Sequence, residues 1–352
     1  GSYAYRLTNP DLTWETQEQL NFGIDARFLN NRLGFEFDWY NKNTRDWLVT
    51  APVLSSFGAN AVSVNGGNVK NTGIEVGLHW NDNIGKDFQY GANLTLAHNK
   101  NEVTKIANKD GIIHGSGSVL WEGAEECFRA EVGKPIGYFY GYKVEGVYQT
   151  QEEIEHSPKN TLATVTPGDL KFRDVNGDGE ITTADRTMIG NPTPDITYGF
   201  TLGLGYKNWE LAVDMMGQGG NQIYRTWDNY NWSQFNFMEQ RMDRWHGEGT
   251  SNTQPLLNTK HTINNLNSEY YIEDGSFFRI RNVSLAYNFD KALISKIGMQ
   301  ALKLYVNIQN LKTWKHNTGY TPELGGSAIA FGVDDGSYPM PAIYTFGFNL
   351  TF

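Results

Sequence analysis

The sequence predicts an all-β protein, a transmembrane antiparallel β-barrel of which about nine strands are present. Two observations carry that expectation. The first is the closing stretch Ile343-Tyr344-Thr345-Phe346-Gly347-Phe348-Asn349-Leu350-Thr351-Phe352. Successive side chains of a strand point to opposite sides. Tyr344, Phe346, Phe348, Leu350 and Phe352 therefore share one face, and Thr345, Gly347, Asn349 and Thr351 the other. An apolar face backed by a small, polar one suits a strand lying between lipid and a wet lumen. The second observation is that short and long connections alternate along the chain, as they do when one rim of a barrel carries turns and the other carries loops.

The same alternation builds each strand in order. Leu20, Phe22, Ile24 and Phe28 oppose Asn21, Gly23, Asp25 and Arg27; Leu33, Phe35, Phe37 and Trp39 oppose Gly34, Glu36, Asp38 and Tyr40. Ile74, Val76, Leu78 and Trp80 oppose Glu75, Gly77 and His79, and Tyr90, Ala92, Leu94 and Leu96 oppose Gly91, Asn93, Thr95 and Ala97. Ile196 to Tyr206 sets apolar even positions against Thr197, Gly199, Thr201, Gly203 and Gly205. Trp209 to Met215, Val283 to Phe289 and Leu302 to Ile308 follow the same rule. The short connections are 29–31, 81–87, 207–208 and 290–301; the long ones are 50–71, 107–195, 217–276 and 312–342. A soluble β-sandwich has no reason to sort its loops this way. Counted back from the chain's end, the turns fall on a periplasmic rim and the loops on an extracellular one.

Composition sets the bounds. The chain has 352 residues, with 14% aromatics and 38 glycines, and no stretch approaches the ~18–20 apolar residues of a membrane-spanning helix. The formal net charge of -10 argues against nucleic acid. The single cysteine, Cys127, excludes an internal disulfide and reads as an unpaired loop thiol. Gly1-Ser2-Tyr3-Ala4 has neither the basic nor the apolar segment of a secretion leader. An odd number of strands does not close a conventional bacterial barrel, and two unpaired edges in lipid have no water to satisfy them. The expectation is therefore the C-terminal part of a larger barrel, opening inside a loop at 1–13, with residues 1–352 forming one piece of wall.

Several long motifs occur in order: Asn9-Pro10-Asp11-Leu12-Thr13-Trp14-Glu15; Pro167-Gly168-Asp169-Leu170-Lys171-Phe172-Arg173-Asp174-Val175-Asn176-Gly177-Asp178-Gly179-Glu180-Ile181; Ile189-Gly190-Asn191-Pro192-Thr193-Pro194-Asp195; Phe277-Phe278-Arg279-Ile280-Arg281-Asn282-Val283-Ser284-Leu285; and Leu304-Tyr305-Val306-Asn307-Ile308-Gln309-Asn310-Leu311. Together they resemble the C-terminal region of the SusC/RagA family of TonB-dependent outer-membrane transporters of Bacteroidetes, over essentially the whole chain. The resemblance implies a barrel of about 22 strands with a plugged lumen. It also implies an N-terminal plug domain and a TonB-contacting segment, both absent from this stretch, and a SusD-like surface lipoprotein that lids the extracellular mouth. The expected setting is the outer membrane of a Gram-negative bacterium, with the long loops extracellular.

One motif has chemistry of its own. In Asp174-x-Asn176-x-Asp178-Gly179-x-Ile181-x-x-x-Asp185, side-chain oxygens recur at positions one, three and five of a calcium loop, with Gly at six. Glu180 would add its carbonyl and Thr182 a hydroxyl or water contact, and Asp185 stands where such loops usually carry Glu. The same residues also read as an Asx- and Gly-rich turn needing no metal. If calcium binds, its role is structural; no organic cofactor is expected.

Aromatics crowd the proposed loops: Trp121, Tyr138, Phe139, Tyr140, Tyr142 and Tyr148; then Tyr224, Trp227, Tyr230, Trp232, Phe235, Phe237 and Trp245; then Trp314, Tyr320, Phe331 and Tyr338. They either stack on sugar rings or peptide side chains, or pack the loops and the lid interface. Trp227, Tyr230 and Trp232, interleaved with Asn229 and Asn231, are the first candidates for ligand contact. Tyr40, Trp47, Trp80, Tyr90, Tyr206 and Trp209 read as interfacial girdle residues. Arg27, Glu36, Asp38, Glu75, His79 and Asp214 read as lumen-facing groups that line a path, pair across the wall or contact a plug. No nucleophile elbow, phosphate loop, paired-cysteine site or zinc-type His pair is present, so no enzyme is expected.

The leading expectation, from the family resemblance, is TonB-dependent active import of a bulky nutrient, first an oligosaccharide, with a peptide importer of the same family as the alternative. The competing classes are a soluble surface-binding or adhesion module with a β-fold, and a surface glycan hydrolase.

Overall fold

A computed structural model describes residues 9–51, 62–115, 117, 120, 124–227, 237–257 and 262–352. Nine long strands form one antiparallel sheet in strict sequence order. They are β1 (Thr16–Phe28), β2 (Leu33–Ala51), β3 (Val62–Ile84), β4 (Phe88–Ile106), β5 (Ile196–Tyr206), β6 (Trp209–Gly219), β7 (Phe277–Asn288), β8 (Ala301–Lys315) and β9 (Ile343–Thr351). Each strand pairs with its sequence neighbours, and within the sheet β1 and β9 pair on one side only. A meander of this kind satisfies every interior backbone group through adjacent strands, which hydrocarbon demands of any spanning structure.

The strand bounds move four of the expected connections: 217–219 still belongs to β6 and 312–315 to β8, and two others change as follows. The loop placed at 50–71 is largely strand: β2 continues to Ala51 and β3 begins at Val62. Outside lipid a strand needs ladder hydrogen bonds but no apolar alternation, so Asn65-Gly66-Gly67-Asn68 reads as loop and is built as wall. The turn placed at 81–87 also shortens, because Asn83 and Ile84 still pair with Gln89 and Phe88. Gly85 closes it at φ 66, a value glycine adopts without steric cost. The 290–301 connection contains a short helix, Lys291–Ile294, and a 3-10 turn, Ser295–Ile297.

The two faces differ as the alternation requires. Leu20 and Phe22 on β1, and Phe346 and Phe348 on β9, are 59–76% exposed. A continuous apolar face of this extent is not stable against water, so it faces lipid. Rings cluster at both ends of that face. Tyr198, Phe278 and Trp314 stack at the loop end, with centroids 6.4 and 5.5 Å apart. Phe88 with Tyr90 and Tyr206, and Trp209 with Tyr287, meet at the turn end. Tyr198 and Tyr206 are eight positions apart on β5. That spacing gives roughly 27 Å along the strand and about 20 Å upright at the usual tilt, close to the height of an outer-membrane apolar band.

Two expected girdle residues are elsewhere. Tyr40 has the parity of Glu36 and Asp38, and its hydroxyl donates to Asn99 Oδ1 at 3.0 Å on the polar face. Trp47 packs under the loops against Val49, Val69, Val103, Ile106 and Ile113, where register shifts around Trp47 turn β2 relative to β3.

Polar-face glycines have a shared job. Gly73 lies opposite Tyr40, Gly347 opposite Tyr305, Gly34 opposite Arg27, and Gly23 opposite Asp38. In each pair the larger side chain lies flat in the space a Cβ would fill; at Gly347 that Cβ would stand 2.4 Å from the Tyr305 ring. Glycine here lets long side chains fold against the wall instead of projecting into the lumen.

The hydrophobic core lies above the sheet, in the long loops. One cluster gathers Leu120, Cys127, Phe128, Phe139, Ile189, Tyr224 and Tyr271; another gathers Tyr142, Val147, Leu170, Phe172, Ile181 and Ile263. Small sheets stitch the loops together: Tyr138–Gly141 lies between Phe128–Glu131 and Thr187–Gly190, and Gln222–Arg225 lies between Ile272–Asp274 and Val333–Asp334.

In the full-length protein, Gly347→Ala should cost about 1–3 kcal/mol, because the three atoms nearest the new Cβ all belong to Tyr305. The double variant Tyr305→Ala/Gly347→Ala should come within about 0.5 kcal/mol of Tyr305→Ala alone. Urea unfolding in lipid vesicles measures both.

Candidate functional site

Burial sorts the loop aromatics. Tyr138, Phe139, Tyr140, Tyr142, Tyr148 and Tyr224 are buried, so they hold the loop layer together and do not present rings to a ligand. Tyr142 stacks on Phe172 at 4.9 Å, and burial pushes its hydroxyl up to about 12. The guanidinium carbons of Arg129 and Arg186 stand 3.5 and 4.6 Å from the Tyr140 ring centre. Trp245 donates its indole N–H to Gln149 Oε1 at 3.2 Å, Phe331 is partly buried, and Trp314 is on β8. Tyr320, Tyr338 and Phe237 are exposed, as are Met238 and Met242.

Of the five residues singled out for ligand contact, Trp227 is described. It follows the strand Gln222–Arg225, is half-buried, and has the Arg225 guanidinium 5.5 Å from its ring. Its indole N–H is buried without a hydrogen-bond partner among the described residues. Asn229, Tyr230, Asn231 and Trp232 lie outside the described residues, as do Trp121 and Phe235.

The Asp174–Asp185 loop is closed by its own backbone. Asp174 accepts from the N–H groups of Gly177 at 2.6 Å and Gly179 at 2.8 Å, Asn176 from Asp178 at 2.9 Å, and Asp178 from Glu180 at 2.9 Å. Asp185 is fully buried; it accepts from Val175 at 2.9 Å and Thr182 at 2.8 Å, and with Thr182 it forms a capping box. The Gly179 N–H, with help from Gly177, holds the Asp174 carboxyl below the usual carboxylate range. That contribution is present at neutral pH and is lost as pH falls through the lowered value. Asp174, Asn176 and Asp178 each give a side-chain oxygen to the loop, and a calcium ion would have to share them with these N–H donors.

The polar face of the sheet carries a second constellation. His79 bridges Glu36 at 3.2 Å and Asn93 at 2.9 Å, and Arg27 lies 3.6 Å from Glu36. Asp38 takes the Asn21 amide at 3.2 Å. Asp214 accepts from Thr201 at 2.9 Å and Asn282 at 3.4 Å. Glu75 lies beside Glu36 and Asp38 in a hollow of about 400 Å³. All six expected lumen groups thus stand on one face. A larger hollow of about 760 Å³ brings together Asn93, Thr95, Thr201, Asp214, Arg281, Asn282, Asn307 and Gln309. Sequence reasoning missed this amide-rich wall, although alternation alone marked Asn93 and Thr95 as inward. Arg281 had a legible signal: it shares the parity of Val283 and Leu285, where a charge should not stand.

Comparison with known proteins agrees with this geometry. The sequence profile described as TonB dependent receptor-like, beta-barrel matches residues 1–311. The chain is similar to TonB-dependent receptor P3 of Formosa agariphila, 32% identical over 98% of this chain and 35% of that protein. It is 33% identical to TonB-dependent receptor P26 of the same organism, over 99% and 36%. It is 25% identical to TonB-dependent receptor SusC of Bacteroides thetaiotaomicron, over 98% and 32%. Among solved structures it shares its fold with the RagAB peptide transporter, at a TM-score of 0.80 and 24% identity, over 98% of this chain and 36% of that one. The chain spans about a third of the length of these relatives. The matched proteins are named as receptors and not as enzymes.

Asp185→Ala should open the turn, because it removes the buried acceptors of Val175 and Thr182 at a cost of about 2 kcal/mol. Limited proteolysis should then cut between 174 and 185 faster than in the parent, while the heat resistance of the barrel is unchanged.

Proposed function

The chain belongs to the TonB-dependent receptor-like β-barrel family, and on that footing we propose that it forms a wall sector and the outer loops of an importer in the bacterial outer membrane. The carrying observation is the nine-stranded meander with one exposed apolar face, one polar face, short turns at one rim and folded loops at the other. The one-sided pairing of β1 and β9 supports a sector whose edges continue into further strands of the same barrel. A soluble adhesion module would have to expose the whole apolar face to water.

The proposed activity is TonB-driven uptake of a bulky nutrient, most simply an oligosaccharide. Amide and hydroxyl groups on the inner wall suit a ligand rich in hydrogen-bonding groups, and binding moves such a ligand without breaking a covalent bond. A peptide meets the same description, and the fold is shared with a peptide transporter. The exposed Phe237, Met238, Met242, Tyr320 and Tyr338 of the loop layer fit an apolar lid, here proposed as a SusD-like surface lipoprotein. Coupling to TonB would run through polypeptide outside residues 1–352. For the Asp174–Asp185 loop we propose a structural role, with calcium as an optional clamp on a turn its backbone already closes. Protease resistance of the loop that rises with calcium and falls with chelator would support the ion.

The test is extraction of the natural protein from outer membranes in mild detergent. The expected result is a polypeptide much longer than 352 residues, a co-purifying lipoprotein, and nutrient uptake that stops when TonB is removed. A protein soluble without detergent and free of any partner would contradict the proposal.

A further inference from the structure

Strand β7 changes phase in mid-membrane. Val283, Leu285 and Tyr287 face lipid, so strict alternation would also turn Arg281 and Arg279 toward lipid. A guanidinium on the lipid face near the bilayer midplane is strongly disfavoured. The ladder avoids this with one extra residue. On the β6 side, Asp214 pairs with Asn282 and Met215 with Ile280, which leaves Arg281 unmatched. On the β8 side, Ile280 pairs with Lys312 and Asn282 with Gln309, with a second register shift at the same level and Asn310 at φ 52. The bulge returns Ile280 and Phe278 to the apolar face and moves both arginines inward.

The two arginines then differ. Arg279 is buried, donates to Thr313 Oγ1 at 2.8 Å and pairs with Glu323. Arg281 is exposed on the inner wall, lines the 760 Å³ hollow, and has neither a hydrogen bond nor an ion pair among the described residues. Its neighbour Asp214 is already taken by Thr201 and Asn282. Asn307 lines the same hollow, and its side-chain oxygen is buried without a donor among the described residues.

We propose that Arg281, with Asn307 and Gln309 beside it, is a carboxylate-binding site on the inner wall. A guanidinium matches a carboxylate through two parallel N–H donors. The amides of Asn307 and Gln309 in the same hollow suit a ligand that carries N–H or O–H groups next to that carboxylate, as sugar acids and peptides both do. Asp214 in the same hollow disfavours a doubly charged anion such as phosphate. The inference rests on reading this face as the barrel lumen. The carboxylate has two sources: an acidic side chain of polypeptide lying in the lumen of the full-length protein, or an acidic solute passing through.

The experiment uses the full-length protein carrying R281K, treated with a water-soluble carbodiimide with and without digalacturonate. The reagent activates a carboxyl group, the lysine amine displaces the urea, and an amide forms with net loss of water. Mass spectrometry should find position 281 coupled about tenfold more than exposed Lys109. Coupling without added solute to an Asp or Glu outside residues 1–352 identifies the internal source, whereas coupling to Asp214 of the same hollow alone counts against the site. Coupling only to digalacturonate identifies the solute. An amine at 281 that accepts an acetylating reagent but couples to neither overturns the site. Heat-shifted electrophoretic mobility of the same sample reports the barrel independently. Its loss would count against the lumen reading, and its retention without coupling against the carboxylate site alone.

Discussion

A backbone N–H or C=O left unpaired in hydrocarbon costs several kcal/mol, and that constraint organises this molecule. It forces neighbouring segments into one continuous ladder, so β1 to β9 pair in sequence order through β2–β8. It also fixes the phase of every strand, since a slip of one residue would exchange the two faces. Where the sequence offers an arginine at a lipid-facing parity, the ladder takes in an extra residue before it will bury the charge. The bulge at Arg281 is therefore a consequence of the membrane, and it aims a guanidinium inward.

Beyond the bilayer the rules change, and the chain folds as a water-soluble protein does. The loop layer has its own core, with Cys127, Phe128, Phe139 and Leu170 fully buried. Each large apolar side chain so buried contributes about 1.5–3 kcal/mol before entropy is counted. Short strand pairs and capped turns satisfy the loop backbone, and burial pushes the Cys127 thiol far above its ordinary range, which keeps it inert. The wall thus carries a second, packed layer, and many of the described loop aromatics are spent on that packing.

Alternation made the wall legible. Tyr344 to Phe352 and Ile196 to Tyr206 each state their faces residue by residue, and the 107–195 loop starts where β4 ends and stops where β5 begins. What could not be read was wall that stands outside lipid: Asn65 to Asn68 pair in a ladder without any apolar signal. Tyr40 was misassigned by residue type although its parity with Glu36 placed it inside. The loop aromatics were visible as a group, yet only tertiary packing separates the buried Tyr142 from the exposed Tyr338. The inward amides Asn307 and Gln309 gave no sign that they converge with Asn93 and Thr201, because convergence belongs to the sheet and not to a strand.

The most direct measurement is a nitroxide scan along β9, one spin label at a time from Ile343 to Thr351, in the full-length protein in lipid vesicles. Labels at Tyr344, Phe346, Phe348 and Leu350 should collide with oxygen dissolved in lipid, and labels at Thr345, Asn349 and Thr351 with a water-soluble relaxation agent. Equal access of the water-soluble agent to both sets would show that the apolar face does not meet lipid, and the assignment of wall, lumen and outer loops would fall with it.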